Sequence, residues 1–171
     1  GIRPSGEEAV RVLIYLVYTV IYICFWLAMA MLFSVFTRHA ATSALASIAL
    51  WLFFAIFMSL LAGIMANAAY PVNTEYQQAV NGMNNYNLNL NLNRISPYYL
   101  YSEASSVLMN PATRAINAVS YTQLVGALSG YLPLGQSLLL VWPHLVGLLA
   151  LTFAAFTISY IGFMRQEIRG N

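Results

Sequence analysis

Three long apolar runs dominate the pattern of this chain. The first covers residues 12–36 (VLIYLVYTVIYICFWLAMAMLFSVF), the second 41–66 (ATSALASIALWLFFAIFMSLLAGIMA) and the third 138–163 (LLLVWPHLVGLLALTFAAFTISYIGF). Each reaches the roughly 20 apolar residues a helix needs to cross a bilayer. No Arg or Glu interrupts any of them, and one charge at mid-span would cost about 2.5–3.5 kcal/mol on insertion. The pattern predicts an all-α integral membrane protein with three transmembrane helices. Only Thr37-Arg38-His39-Ala40 joins the first two spans, a link short enough to force an antiparallel helical hairpin.

Between the second and third spans, residues 67–137 form a long segment expected outside the hydrocarbon, on the external side, with short helices in it. Its first part, NGMNNYNLNLNLNR from Asn81 to Arg94, alternates Asn and Leu from Asn87 to Asn93. That period of two suits a strand, and the composition suits a mobile polar loop equally well. Ser96-Pro97 marks a turn and the start of a helix. Asn110-Pro111 breaks that helix, and a second short one is expected from Pro111. The stretch from Leu124 to Leu134 is too short and too Gly-rich to span, and suits an interface-lying or partly re-entrant helix.

Composition agrees with a lipid solvent. The chain has 171 residues, 60% hydrophobic and 7% charged, against about a quarter charged in soluble domains. A net charge of +2 is too small to argue for nucleic acid as a partner. Cys24, the single cysteine, lies in an apolar run; it excludes an intramolecular disulfide framework. The expected unit is a single transmembrane domain over 1–171. It opens Gly-Ile-Arg-Pro, without Met and without a signal-peptide layout, and is expected to begin inside a longer protein.

Charge near the span ends sets an orientation. Arg38, with His39 beside it, lies in the first turn, and Arg165 and Arg169 lie in the tail. Three spans place these two regions on one side, expected to be cytoplasmic, with Arg38 and His39 as the anchor of the turn. On the other side Arg3, Arg11, Arg94 and Arg114 are balanced by Glu7, Glu8, Glu75 and Glu103, although Arg11 close to the first span argues the other way. Tyr15, Tyr18 and Tyr22, with Trp142 and Tyr160, suit the headgroup level, while Trp26 and Trp51 lie deeper and suit helix–helix contacts. Ala41, Ser43, Ala44, Ser47 and Ala49 would let another helix approach closely, or would form a polar stripe along a pore.

Catalytic chemistry is hard to find. A Walker A loop needs a Lys, and the chain has none. No HExxH occurs, and His39 and His144 lie too far apart in sequence to suggest a shared metal site. Gly126-Ala-Leu-Ser129-Gly130 lacks the Gly-x-Ser-x-Gly spacing and fits a small-residue packing pattern. No catalytic, cofactor or metal residue is expected. His144 follows Pro143 near the start of the third span and reads either as an interfacial histidine or as part of a water-filled path. Glu103 reads as solvent-facing, as a helix cap, or as part of a gate.

The order of features then resembles a known family. Tyr22 to Trp26 (YICFW), Ser34, Arg38, Thr42-Ser43-Ala44 and Ala49 to Phe54 (ALWLFF), followed by Arg94-Ile-Ser96-Pro97, Tyr101-Ser-Glu103-Ala104, Asn110-Pro111 and the ending ISYIGFMRQEIR, resemble the permease subunits of ABC-2-type transporters, in particular the NosY-like branch. The resemblance implies the C-terminal half of a six-span subunit of the cell membrane, with its C-terminus cytoplasmic. It implies two such subunits pairing, each meeting a separate ATPase subunit on which ATP is bound, and an exporter. The first three spans and the coupling helix of the family pattern are missing from the sequence. Two other readings stand beside this one: a non-transporting membrane scaffold or assembly protein, and an intramembrane enzyme using His144 or Glu103.

Overall fold

The structure, a computed structural model, describes residues 6–37, 39–110 and 133–169. Every regular element among them is helical: α1 Gly6–Phe36, α2 Ala40–Leu52, a π-helical turn Phe53–Phe57, α3 Met58–Ala69, α4 Glu75–Asn93, α5 Pro97–Met109 and α6 Leu134–Arg169. Three helical stretches are long and apolar enough to cross a membrane: Gly6–Phe36, Ala40–Ala69 through the π turn, and Leu134–Gln166. Each encloses one of the runs read from the sequence. Their outer surfaces expose Leu13, Val20, Leu45, Ile64, Leu139 and Phe153, a coat far more apolar than a water-facing surface carries.

The spans α1 and α6 run parallel and form the main contact of the molecule. At one end the Arg11 guanidinium donates from Nη1 to Ser137 Oγ at 3.1 Å, and also holds Glu7 at 3.0 Å. At the other end Gln166 Nε2 donates to the Val35 carbonyl at 2.6 Å. Gly162 allows the close approach there, since a Cβ at that position would lie 3.1 Å from Val35 Cγ1. The helix α2 returns antiparallel beside α1. His39 is its N-cap, and the small side chain of Ser43 sits deep enough to donate to the Ala30 carbonyl at 3.2 Å. Of the small residues at the start of the second span, Ser43 serves this helix contact and Ser47 is half-buried, while Ala41, Ala44 and Ala49 are exposed. Arg38 lies outside the described residues, as do the expected helix from Pro111, the Gly126–Ser129–Gly130 motif, Arg3, Arg114 and nearly all of the 124–134 stretch.

The second span does not stay against α1. In the π turn the ladder slips by one residue, so that Met58 N–H donates to the Phe53 carbonyl. Beyond it α3 has α4 as its main neighbour. The Asn-rich segment is therefore a helix and not a strand or a mobile loop. Thr74 Oγ1 caps it by accepting from Gln77 N–H. A lone strand would leave its backbone groups unpaired, whereas a helix satisfies them internally. The helix also lets asparagines four apart meet α3: Asn81 donates to the Pro71 carbonyl at 3.0 Å, and Asn85 to Asn67 Oδ1 and the Tyr70 carbonyl at 2.9 and 2.7 Å. Asn89 Nδ2 lies 3.7 Å from where a Cβ on Gly63 would stand. These pairs fix an antiparallel register.

That register carries the chain back toward the middle of the second span. Ser96 Oγ donates to the Phe54 carbonyl at 3.0 Å, and Phe54 stands at the midpoint of Ala40–Ala69. The described part of this segment around Ser96 is thus not set apart from the spans. The helix α4 descends along α3, the chain turns at residues 94–96, and α5 returns against α1 and α6. Ser96 also accepts from Tyr99 N–H as N-cap of α5, with Pro97 in the first turn. Leu100, Ala104, Val107 and Leu108, spaced along one face of α5, join Tyr18, Val141 and Leu148 in the core.

Replacing Ser96 by Ala removes both a helix cap and the bond to Phe54. We expect Ser96→Ala to lose about 1–2 kcal/mol in SDS-induced unfolding of the detergent-solubilised protein, with Ser96→Thr losing less. Equal unfolding curves for Ala and wild type would mean that neither bond contributes.

Candidate functional site

Three helices bring ionisable groups to one point. Pro97 and the Ser96 cap set the rotation of α5, which puts Glu103 on the same face as Leu100, Ala104 and Val107. On α6, Ser137, Val141, His144 and Leu148 form one buried stripe, at the helical spacing of i, i+4, i+7, i+11. Pro143 lies inside α6 and gives no N–H to the carbonyl of Leu139. Gly147 lets α5 close on α6, with Leu100 Cδ1 3.4 Å from where its Cβ would be. Glu103 and His144 then meet: Nε2 of His144 lies 2.7 Å from Oε2 of Glu103. Arg94, at the α4–α5 turn, donates from Nε to the same oxygen at 3.0 Å. Glu103 is 8% exposed and His144 4% exposed.

The sequence reading of Glu103 as a solvent-facing or capping residue is corrected by this burial. A carboxylate away from water needs compensating charge and donors, and Arg94 and His144 supply them. His144 is likewise no headgroup-level histidine. Its Nδ1 is buried without a hydrogen-bond partner among the described residues. The neutral tautomer with hydrogen on Nε2 fits that geometry, because it donates to Glu103 and leaves only a lone pair on Nδ1.

Depth follows from helix rise. Glu103 lies seven residues along α5 from Ser96, about 10 Å at ~1.5 Å per residue. His144 lies six residues from the midpoint of Leu134–Gln166, about 9 Å by the same rise. Both estimates are shorter than the roughly 15 Å half-thickness of the hydrocarbon, so a bilayer centred on the span midpoints would hold the cluster within one leaflet.

Beside it stands a tyrosine group. Tyr101 of α5 stacks on Tyr22 of α1 with ring centroids 4.3 Å apart. Its hydroxyl lies 3.1 Å from Tyr15 Oη and 3.0 Å from Thr19 Oγ1. Tyr18 is 1% exposed, and its hydroxyl has no hydrogen-bond partner among the described residues. The tyrosines of the first span therefore face α5 and not the headgroups. Trp51 does bridge helices, donating from Nε1 to Tyr22 Oη at 3.1 Å, while Trp142 is 62% exposed.

Of the residues singled out in sequence, the structure unites Glu103 and His144 and leaves His39 exposed at the distant α1–α2 turn. Arg94 and the tyrosines were missed as site residues. The ArgIleSerPro turn was the available signal for Arg94, since a basic residue at a tip that folds back needs an acid nearby. Among the described residues, no three His, Cys, Asp or Glu side chains gather closely enough to hold a metal ion.

A family model described as ABC-2 family transporter protein matches residues 1–168. No curated protein and no solved structure matches the chain.

Removing Glu103 strands the buried His144 and takes the carboxylate from Arg94, whose side chain is 32% exposed. Glu103→Leu should destabilise the protein by about 3–5 kcal/mol in the same SDS unfolding measurement. The double variant Glu103→Leu/His144→Leu should recover part of that loss, because the stranded imidazole is gone. Strict additivity of the two single changes would mean that the pair does not interact.

Proposed function

Because the chain belongs to the ABC-2 transporter family, we propose that it is a permease subunit of an ATP-driven exporter in the cell membrane, forming part of the translocation path. The observation that carries this reading is the family match over 1–168 on a chain with three membrane-length apolar helices. Permeases of this family are transport domains that work with a separate ABC ATPase. The sequence has no Lys and so no Walker A loop, which supports the reading that ATP is bound on a separate subunit.

The finer parts of the proposal follow the resemblance read from the sequence. The three spans correspond to the last three of a six-span, NosY-like subunit, and two permease subunits pair. The Arg38-His39 turn and the C-terminal tail face the cytoplasm. Two features support that orientation: on the opposite side Arg11 and Arg94 are spent on Glu7 and Glu103, leaving less free positive charge there to oppose the positive-inside rule. The Glu103–His144 pair lies beside the path, as a link that holds α5 to α6.

Purification of the tagged protein from its own membranes tests the reading. An ATPase subunit should co-purify, and nucleotide hydrolysis should depend on the presence of this chain. A stable membrane complex without any ATPase would favour the scaffold reading. Reporter fusions at residue 37 and at the C-terminus should both report the cytoplasm. Arg38→Glu should lower the fraction inserted in that orientation, and an unchanged fraction would remove the anchoring role of Arg38.

A further inference from the structure

The alternation of Asn and Leu puts asparagines on two sides of α4. Asn81, Asn85 and Asn89 face α3, as described above. Asn84, Asn87 and Asn91 fall on the other side and are exposed, without a side-chain hydrogen bond to any described residue. Their depth is set by the register with α3. With Asn85 opposite Asn67 and Asn89 opposite Gly63, Asn84 lies level with Ala68, Asn87 with Met65 and Asn91 with Leu61. By a rise of ~1.5 Å per residue, Leu61 is about 10 Å from the middle of the second span, inside the hydrocarbon half-thickness of roughly 15 Å.

Two kinds of surface therefore occur at one depth. On α3, Leu60, Leu61, Ile64 and Met65 are exposed by 60, 42, 67 and 54%, which suits lipid. On α4, the exposed side chains at the same level are carboxamides. An amide without a partner in hydrocarbon costs several kcal/mol, and polar groups within membranes face the bundle interior or a water-filled cavity. On this face Val80 and Met83, exposed by 58 and 63%, stand at the aqueous end, and from Asn84 inward the exposed positions 84, 87 and 91 are all amides, as a column of water entering from that end requires.

We infer that the outer face of α4 lines a water-filled path open to the side of the membrane where α4 begins, with Asn84, Asn87 and Asn91 as its wall. This rests on the permease reading and names the wall of its path. Each carboxamide both donates and accepts hydrogen bonds and carries no charge. The wall therefore suits a hydrated, hydrogen-bonding solute and does not select the sign of an ion.

Cysteine accessibility tests the assignment. In a Cys24→Ser background, Asn84→Cys, Asn87→Cys and Asn91→Cys are compared with Leu61→Cys and Ile64→Cys at matching depth. The protein is used in its native membranes, with a charged, membrane-impermeant methanethiosulfonate as probe. Because only the hydrated thiolate reacts, the three α4 positions should be modified on the order of tenfold faster or more than the α3 positions. Each variant is scored only if it elutes as folded protein in detergent gel filtration; three independent positions keep the test decisive if one misfolds. An Asn91→Cys as inert as Leu61→Cys overturns the inference. So does an oxidative cross-link joining Asn91→Cys of two copies, which would make this face a subunit contact. Either result leaves co-purification of the ATPase untouched, so failure here is distinct from failure of the permease reading.

Discussion

Hydrocarbon offers no hydrogen bonds, so each polar group carried to membrane depth must find its partner within the protein or in water that the protein admits. This chain sends an unusual number of such groups inward on α4 and α5, and most of their partners are visible. Ser96 takes the Phe54 carbonyl, Asn85 takes Asn67 and the Tyr70 carbonyl, Asn93 takes Asn89, and Glu103 takes Arg94 and His144. These pairs do more than offset desolvation. The Asn93–Asn89 pair closes a turn within α4, and the others, by joining α4 or α5 to a fixed level of a neighbouring element, together determine how far the segment folds back and which residue stands at its tip.

Two differently built bodies meet at that tip. One consists of α1, α5 and α6, held by apolar packing around Leu108, Leu148 and Tyr18 and closed at its ends by Arg11 with Ser137 and Gln166 with Val35. The other consists of α3 and α4, joined largely through asparagines and the small residue Gly63. Between them run the Ser96 bond into the π turn, the packing of α5 on that turn, the Arg94–Glu103 pair and the chain itself.

How much of this could be read in the sequence differs by feature. The spans were legible because twenty uncharged apolar residues have almost no alternative to a bilayer helix, and the 37–40 link fixed the hairpin by length alone. The Ser96-Pro97 start and the Asn110 stop of α5 were legible because capping chemistry is local. The state of the Asn-rich segment was not, because a period of two counts only one residue's neighbours along the chain, while the deciding partners, Asn67 and Tyr70, lie on α3. The Glu103–His144 pair joins residues 41 apart through the rotation of α5 that Ser96 sets. Each residue was noticed singly, but their meeting depends on a fold-back that hydropathy does not record. For the same reason the tyrosines of the first span were assigned to the headgroups: aromatic position along a span gives depth, and not the direction in which the ring faces.

The alternating sequence also explains why α4 has more than one polar side. A helix turns about 100° per residue, so residues two apart diverge by about 200° and a strict Asn–Leu alternation cannot gather its asparagines into one stripe. Asn85, Asn89 and Asn93 fall together, Asn84, Asn87 and Asn91 fall nearly opposite, and Leu88, Leu90 and Leu92 occupy the flanks. An amphipathic helix of the ordinary kind has one polar face and can lie at an interface. This one has polar surroundings on two opposed sides and apolar ones between. Beside α3 the first polar side is already satisfied. Only a position between a polar helix seam and a second polar medium satisfies the other, and a helix in that position forms a partition between the second span and whatever occupies the space beyond it.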